Sequence, residues 1–231
     1  PGDRVLVARP VDADLYASLA ALWTLGAVAV LPEPAMGLAG LRHAARVTRP
    51  KAFCTGGWYR ALGYVLPELW GLRILGGQAG PGAPGAVAQA RDTALISFTS
   101  GSTGRPKAIP RSHAFLMAQH DAIAPLLHSD AAQRDLVAFP VFTLINIAAG
   151  QTSILPNWRM SRLADLSPAG LRDWMARQRV TRALIPPALC EKLAEAGLPP
   201  DLHHIFTGGG PVFPDLLARL QQGGAANITC V

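Results

Sequence analysis

With 231 residues, half of them hydrophobic and 16% charged, the chain can bury a sizeable core and reads as one large soluble, globular domain rather than two. Its net charge of +6 comes from scattered arginines that are not interleaved with aromatics, which argues against a nucleic-acid surface. The three cysteines, Cys54, Cys190 and Cys230, have neither CxxC spacing nor an even count, so a disulfide framework does not fit and reduced thiols in a cytoplasmic setting are expected.

Starting at Pro1 without a methionine and stopping at Val231 in an apolar run, the chain reads as a piece of something longer. Arg4-Val5-Leu6-Val7 has the character of a strand, which leaves no place for a secretory signal. Residues 15–31 carry no charge, as a membrane span would. Yet Asp12 and Asp14 open the run like a helix start, and Gly26 closes it before Ala27-Val28-Ala29-Val30-Leu31, a short strand ended by Pro32. Leu15, Leu19, Leu22, Trp23 and Gly26 fall near helical spacing, so a buried helix followed by a buried strand is expected in place of a span. The alternation continues with a helix over 38–47 before Lys51-Ala52-Phe53-Cys54, and a helix near 58–69 before Leu72-Arg73-Ile74-Leu75. Strands and helices taking turns predict an α/β fold with largely parallel sheets covered by helices. From 76 to 92 the composition turns to glycine, proline, alanine and glutamine without a period, the loop expected as the internal boundary.

Thr93-Ala94-Leu95-Ile96-Ser97-Phe98 then reads as a buried strand delivering Thr99-Ser100-Gly101-Ser102-Thr103-Gly104-Arg105-Pro106-Lys107. Glycines let the backbone approach an anion closely, hydroxyls and N–H groups donate to it, and a lysine adds a compact positive charge. Lys107 is one of three lysines among 21 basic residues, with Lys51 and Lys192, and this scarcity singles out its ammonium group. A Walker loop would lead from Gly-Lys-Ser/Thr into a helix, whereas Lys107 follows Pro106 and precedes Ala108-Ile109, so the loop from Thr99 to Lys107 is expected to join two strands. A solvated turn rich in serine and glycine is the plain alternative. The stretch resembles the signature phosphate loop of the adenylate-forming superfamily, which comprises acyl- and aryl-CoA synthetases, peptide adenylation domains and luciferases. Ala108 departs from the glycine usual there.

Past the loop, Ser112 is placed to cap a helix through Phe115, Met117 and Leu126 to about Leu127. His113 and His120 share a face of it, but two histidines are too few for a metal site and read as surface or packing residues. Asp135-Leu136-Val137-Ala138-Phe139-Pro140 reads as a strand ended by its proline, followed by an aromatic-rich turn and a short helix closing near Gly150. This block resembles the superfamily's next motif, in which a proline and an aromatic precede a residue lining the acyl pocket. Many members have histidine where this chain has Thr143, and Phe-Pro-Val-Phe-Thr-Leu is closer to the β-lactone synthetases of olefin biosynthesis. An apolar loop packed on the core is the alternative. Ser167-Pro168 opens a further helix, 181–186 reads as a strand and 187–196 as a helix. His203 and His204, adjacent on a strand, point to opposite faces and cannot share a metal ion. Thr207-Gly208-Gly209-Gly210-Pro211 follows a strand and precedes a helix near 215–222, and its bare backbone would let a flat ligand lie against it, although a turn alone also explains the glycines. In the superfamily a Gly-Gly-x-Pro stretch at this place belongs to the adenine and acyl site.

The resemblance implies that residues 1–231 are an incomplete N-terminal adenylation core. It lacks the C-terminal domain with its catalytic lysine and a magnesium-binding glutamate, and is expected to be inactive alone. The full protein would use ATP and Mg²⁺ to convert a small-molecule carboxylic acid, aliphatic or β-hydroxy, into acyl-AMP with release of pyrophosphate. Transfer to CoA or closure to a β-lactone would follow. On the same resemblance Ser100, Gly101, Ser102, Thr103 and Gly104 hold the β- and γ-phosphates, Lys107 is the catalytic cation on the leaving pyrophosphate, and Thr99 approaches the magnesium. Gly208, Gly209, Gly210 and Pro211 serve the nucleotide, and Phe142, Thr143 and Asn146 serve the acyl pocket. A phosphotransferase or ATPase using the same loop, and a binding fragment without turnover, are the alternatives. No nucleic-acid partner and no membrane span are expected.

Overall fold

The computed structural model describes residues 1–32, 37–76, 85–99, 106–158, 160–225 and 227–230. They fall into two compact units, Pro1–Ala122 and Ile123–Val231, each an α/β sheet with its own core. Two units replace the single large domain expected from length.

The first unit carries β1 (Arg4–Ala8), β2 (Val28–Leu31), β3 (Ala52–Thr55), β4 (Arg73–Leu75), β5 (Thr93–Thr99) and β6 (Lys107–Ser112) in the spatial order β4-β3-β1-β2-β5-β6. All neighbours are parallel except β5 and β6, which are antiparallel. Helix α1 (Ala13–Thr24) starts at Asp12, whose carboxylate accepts the Leu15 N–H at 3.0 Å. It ends ahead of Gly26 at φ 66°, a left-handed conformation that would cost a residue with a Cβ roughly 1–2 kcal/mol. Leu15, Tyr16, Leu19 and Leu22 are buried, so the uncharged run is a core helix and strand. No helix among the described residues is long and apolar enough to cross a membrane.

Helix α2 (Gly37–Thr48) packs Leu41, Ala44 and Ala45 onto Leu6, Val30, Phe53 and Phe98. Its outer Arg42 and Arg46 both donate to Glu68. The helix expected near 58–69 is broken into a 3₁₀ turn (Gly57–Ala61), a single α turn, α3 (Leu62–Val65), and a second 3₁₀ turn (Pro67–Leu69). The break follows from Pro67, which lacks an N–H and holds Leu66 extended at φ −91°, ψ 118°. The glycine- and proline-rich stretch at 76–92 is not a domain boundary. It connects β4 to β5, and both lie in one sheet, while the chain divides after Ala122.

Helix α4 (His113–Leu127) follows β6 directly, with the Ser112 hydroxyl accepting the Phe115 N–H at 3.1 Å. The second unit continues with β7 (Arg134–Val137), α5 (Pro140–Ala148), β8 (Thr152–Ile154), α6 (Pro168–Arg177), β9 (Arg182–Ile185), α7 (Pro187–Ala196), β10 (His204–Thr207), α8 (Pro214–Gln222) and β11 (Asn227–Cys230). Its five strands are all parallel in the order β11-β10-β9-β7-β8. Ala183, Ile185 and Ile205 pack with Leu171, Met175, Leu189, Leu193 and Leu216 of α6, α7 and α8. The intervening Leu184 and Phe206 join Leu127, Val137 and Ile145 in a second cluster. Both faces of the sheet are therefore apolar, which explains the unbroken hydrophobic runs of these strands.

Pro140 does not end a strand, because β7 stops at Val137 and Pro140 occupies the first turn of α5. The aromatic stretch read as a turn is thus the start of a helix. Proline suits that position, where an N–H would have no partner and its fixed φ is already helical.

Candidate functional site

In the first unit the candidate site is the open end of the β5–β6 pair. Ala94, Ile96 and Phe98 alternate inward along β5 and fix its register against the core, delivering Thr99 to the surface. Across the pair Thr99 is the direct partner of Lys107, and Ser97 of Ile109. Direct antiparallel partners project to the same face of a sheet, so the Thr99 hydroxyl and the Lys107 ammonium emerge side by side where the chain leaves one strand and enters the other. Both residues are exposed, and among the described residues the Lys107 side chain makes no ion pair. The hairpin is anchored lower down, where Arg111 donates to the Ser97 hydroxyl at 3.2 Å and lies over the Phe115 ring at 4.8 Å. A further contact was not legible in the sequence: His43 Nε2 lies 2.9 Å from the Pro106 carbonyl. Ser100, Gly101, Ser102, Thr103 and Gly104 lie outside the described residues.

In the second unit the candidate residues gather at the carboxyl ends of β7 and β10, the side on which open α/β sheets bind ligands. The Phe139 and Phe142 rings meet edge to face with centroids 6.0 Å apart. Gly209, at φ 74°, passes so close to Phe139 that a Cβ there would sit 3.3 Å from the ring. The glycine stretch and the aromatic motif are therefore brought together, and Gly209 is the position that needs to be glycine. At Gly210 a Cβ would meet only Pro187, at an ordinary 3.8 Å. Just before the glycines, the fully buried Thr207 hydroxyl accepts from the Cys190 thiol at 3.4 Å. Burial pushes that thiol up to about 11, so it stays protonated and unreactive.

Thr143 is 3% exposed, and its hydroxyl has no hydrogen-bond partner among the described residues. Asn146 is placed differently from the expected pocket lining. It is 1% exposed, and its amide nitrogen donates to Asp135 Oδ2 at 3.0 Å and to the Ser153 hydroxyl at 3.1 Å. Its two hydrogens are thus spent inside the fold, which removes it as a donor to substrate; the amide oxygen alone has no partner among the described residues.

The acceptor of that amide belongs to an ion pair that the sequence reading missed. Asp135 and Arg182 are register partners on β7 and β9, joined by two hydrogen bonds of 2.7 Å, Nε to Oδ1 and Nη2 to Oδ2. Both side chains are buried, and the remaining guanidinium nitrogen donates to the Leu127 carbonyl at 2.8 Å, capping the last turn of α4. Next along the row His204, the register partner of Arg182, stacks on Phe206 and contacts the Thr229 hydroxyl at 2.9 Å. Burial, and then the Arg182 charge, hold its pKa below the ordinary histidine value. His113 packs edge-on against Trp23, and His120 Nδ1 lies 3.0 Å from Asp121 Oδ1.

Each unit is thus an α/β sheet, the first presenting a hydroxyl–lysine pair beside a Ser/Thr/Gly stretch and the second a glycine stretch against an aromatic motif. The family model described as AMP-binding enzyme matches residues 1–230, and the chain belongs to that family. It is 31% identical over 241 residues to an olefin β-lactone synthetase of Stenotrophomonas maltophilia, covering 94% of this chain and 43% of that protein. An olefin β-lactone synthetase of Xanthomonas campestris is also 31% identical, covering 94% of this chain and 42% of its own. Among solved structures, apo MbtA of Mycobacterium smegmatis superposes with a TM-score of 0.78 at 27% identity, over 99% of this chain and 46% of that one. The chain thus spans less than half the length of these relatives.

Proposed function

We propose that the protein containing this chain activates an aliphatic carboxylic acid, and specifically a β-hydroxy acid, as its acyl-adenylate. A carboxylate oxygen attacks the α-phosphorus of ATP, the bond to the bridging oxygen of pyrophosphate breaks, and acyl-AMP and pyrophosphate result. The observation that carries the reading is the pairing of Thr99 with Lys107 at the mouth of the loop. Reactions of this kind need little covalent chemistry from the protein, which supplies position and charge. Lys107 makes no ion pair among the described residues, and its ammonium group is suited to the charge that builds on the leaving pyrophosphate. Ser100, Gly101, Ser102, Thr103 and Gly104 would cradle the β- and γ-phosphates, and Gly208, Gly209, Gly210 and Pro211 would offer bare backbone to the adenine.

The exposed Thr99 hydroxyl is a fitting oxygen ligand for magnesium, which is held by few protein groups when it arrives with phosphates. Magnesium would supply charge neutralisation at the phosphates. The buried, free Cys54 and Cys190 support a cytoplasmic setting.

The choice of acid rests on α5. Phe139 and Phe142 form an apolar wall, each buried methylene of substrate contributing about 0.8 kcal/mol, or about fourfold in affinity. The Thr143 hydroxyl, without a hydrogen-bond partner among the described residues, fits a substrate hydroxyl, and the relatives named as olefin β-lactone synthetases support intramolecular closure of a β-hydroxyacyl-adenylate over transfer to CoA. ATP–pyrophosphate exchange by the intact enzyme across acids of increasing length tests the reading. Exchange should rise with chain length and with a β-hydroxyl, yield AMP and pyrophosphate, and lose its length dependence in Phe142→Ala. A preference for acetate or benzoates, or ADP and phosphate as products, refutes it.

A further inference from the structure

Helix α2 makes a contact with the phosphate-loop stem that the adenylation reading does not use. Its His43 Nε2 lies 2.9 Å from the carbonyl oxygen of Pro106, the residue immediately before Lys107. A carbonyl oxygen only accepts, so Nε2 carries the hydrogen. The same imidazole packs edge to face on Phe98, the residue immediately before Thr99, with centroids 6.1 Å apart. One side chain therefore touches β5 and the residue that leads into β6, next to the two residues that face each other at the end of the pair.

The platform beneath His43 is rigid. Leu41, Ala44 and Ala45 on the adjacent turns of α2 are buried in the core with Phe98 itself. On the outer surface Glu68 holds Arg42 through Nε at 2.9 Å and Arg46 through Nη2 at 2.5 Å, fixing the helix from a second direction. The peptide plane leading into Lys107 carries the Pro106 carbonyl, so a bond held to that oxygen bears directly on the direction in which Lys107 leaves.

We propose that His43 is a positioning residue for the phosphate site: through the Pro106 carbonyl and the Phe98 ring it sets the direction in which Lys107 leaves the loop. This rests on the adenylation reading and adds to it a residue remote from the substrate in sequence. The effect is expected on nucleotide and not on acid. A single neutral hydrogen bond of this kind corresponds to about a fivefold to tenfold change in an equilibrium.

The test compares wild type, His43→Phe, which keeps the ring contact but has no donor, and His43→Gln, which keeps a donor. It is made in the intact enzyme, with calorimetric titration of ATP·Mg²⁺ alongside ATP–pyrophosphate exchange. His43→Phe should weaken ATP binding and raise the KM for ATP fivefold to tenfold while the KM for the acid and the melting temperature stay near wild type. His43→Gln should recover to within about twofold. Equal ATP affinity in His43→Phe and wild type overturns the proposal, as does a parallel loss of acid and ATP affinity, or a failure of His43→Gln to recover while it melts like wild type. If wild type itself neither binds ATP nor exchanges pyrophosphate, the adenylation reading fails, an outcome distinct from all of these.

Discussion

Thr99 and Lys107 are direct partners in the last register pair of β5 and β6, so the first hydroxyl of the loop and its lysine share one face although seven residues separate them in the chain. This follows from a strand pairing that the core dictates through Ile96 and Phe98. Lys107 makes no ion pair among the described residues, so its cost to the fold is small and its service is free for a ligand.

Lys107→Ala is accordingly expected to lower pyrophosphate exchange by the intact enzyme by about 10²–10³-fold, the usual loss when a preorganised charge-stabilising group is removed. The melting temperature should hardly move, since an exposed, unpaired side chain contributes within about 0.5 kcal/mol. Steady-state exchange and a thermal melt on the same preparation check both halves.

The Asp135–Arg182 pair predicts the opposite profile. Arg182→Leu leaves a carboxylate buried without its partner and should destabilise the second unit by about 3–5 kcal/mol. The double variant Asp135→Leu/Arg182→Leu removes both charges and should regain most of the loss, although Asn146 then keeps only Ser153. Urea unfolding of the three proteins decides it, and a double variant no better than the single would show that the pair contributes more than mutual neutralisation.

Thr143→Val exchanges a buried hydroxyl that has no partner among the described residues for a methyl of the same shape. Stability should be unchanged or rise by up to about 1–3 kcal/mol, because an unsatisfied polar atom is costly to bury. If Thr143 reads the substrate hydroxyl, the same change lowers the preference for a β-hydroxy acid over the plain acid of equal length, measured as a ratio of kcat/KM values.

His204 predicts a pH effect. The fold keeps it neutral, through burial first and the Arg182 charge second, with Asp135 opposing and His203 adding to the depression. As pH falls below its ordinary value of 6.5 the unfolded chain takes up the proton before the folded chain does. The contribution is therefore complete above that value and is lost progressively as pH drops toward the folded pKa. Melts at pH 7.5 and 5.5 should show a larger loss in wild type than in His204→Phe, which has no proton to take up.

Much of this was legible in the sequence because it is locally determined. Asp12, Ser112 and Ser167 were readable as caps, and each accepts the N–H three residues on. Period and glycine placement marked most strands and helices. What escaped depends on strand order. Asp135 and Arg182 stand 47 residues apart and meet because β7 and β9 are neighbours, although charges opening otherwise apolar strands were a usable sign. That the Asn146 amide donates to Asp135 was not legible, since the strand beneath α5 could not be identified. The expected boundary at 76–92 rested on linker composition, which a connection between two non-neighbouring strands of one sheet shares, while the division after Ala122 falls inside α4, where composition does not change.

The cysteines offer a ready spectroscopic handle. Cys230 is exposed at the end of β11, Cys54 is buried in β3, and Cys190 is both buried and held protonated. A thiol-directed fluorophore or spin label added to this chain near neutral pH should therefore attach once, at Cys230, without any engineered substitution. Each further label incorporated per molecule would count a cysteine released by opening of the sheet that hides it, Cys54 reporting on the first unit and Cys190 on the second.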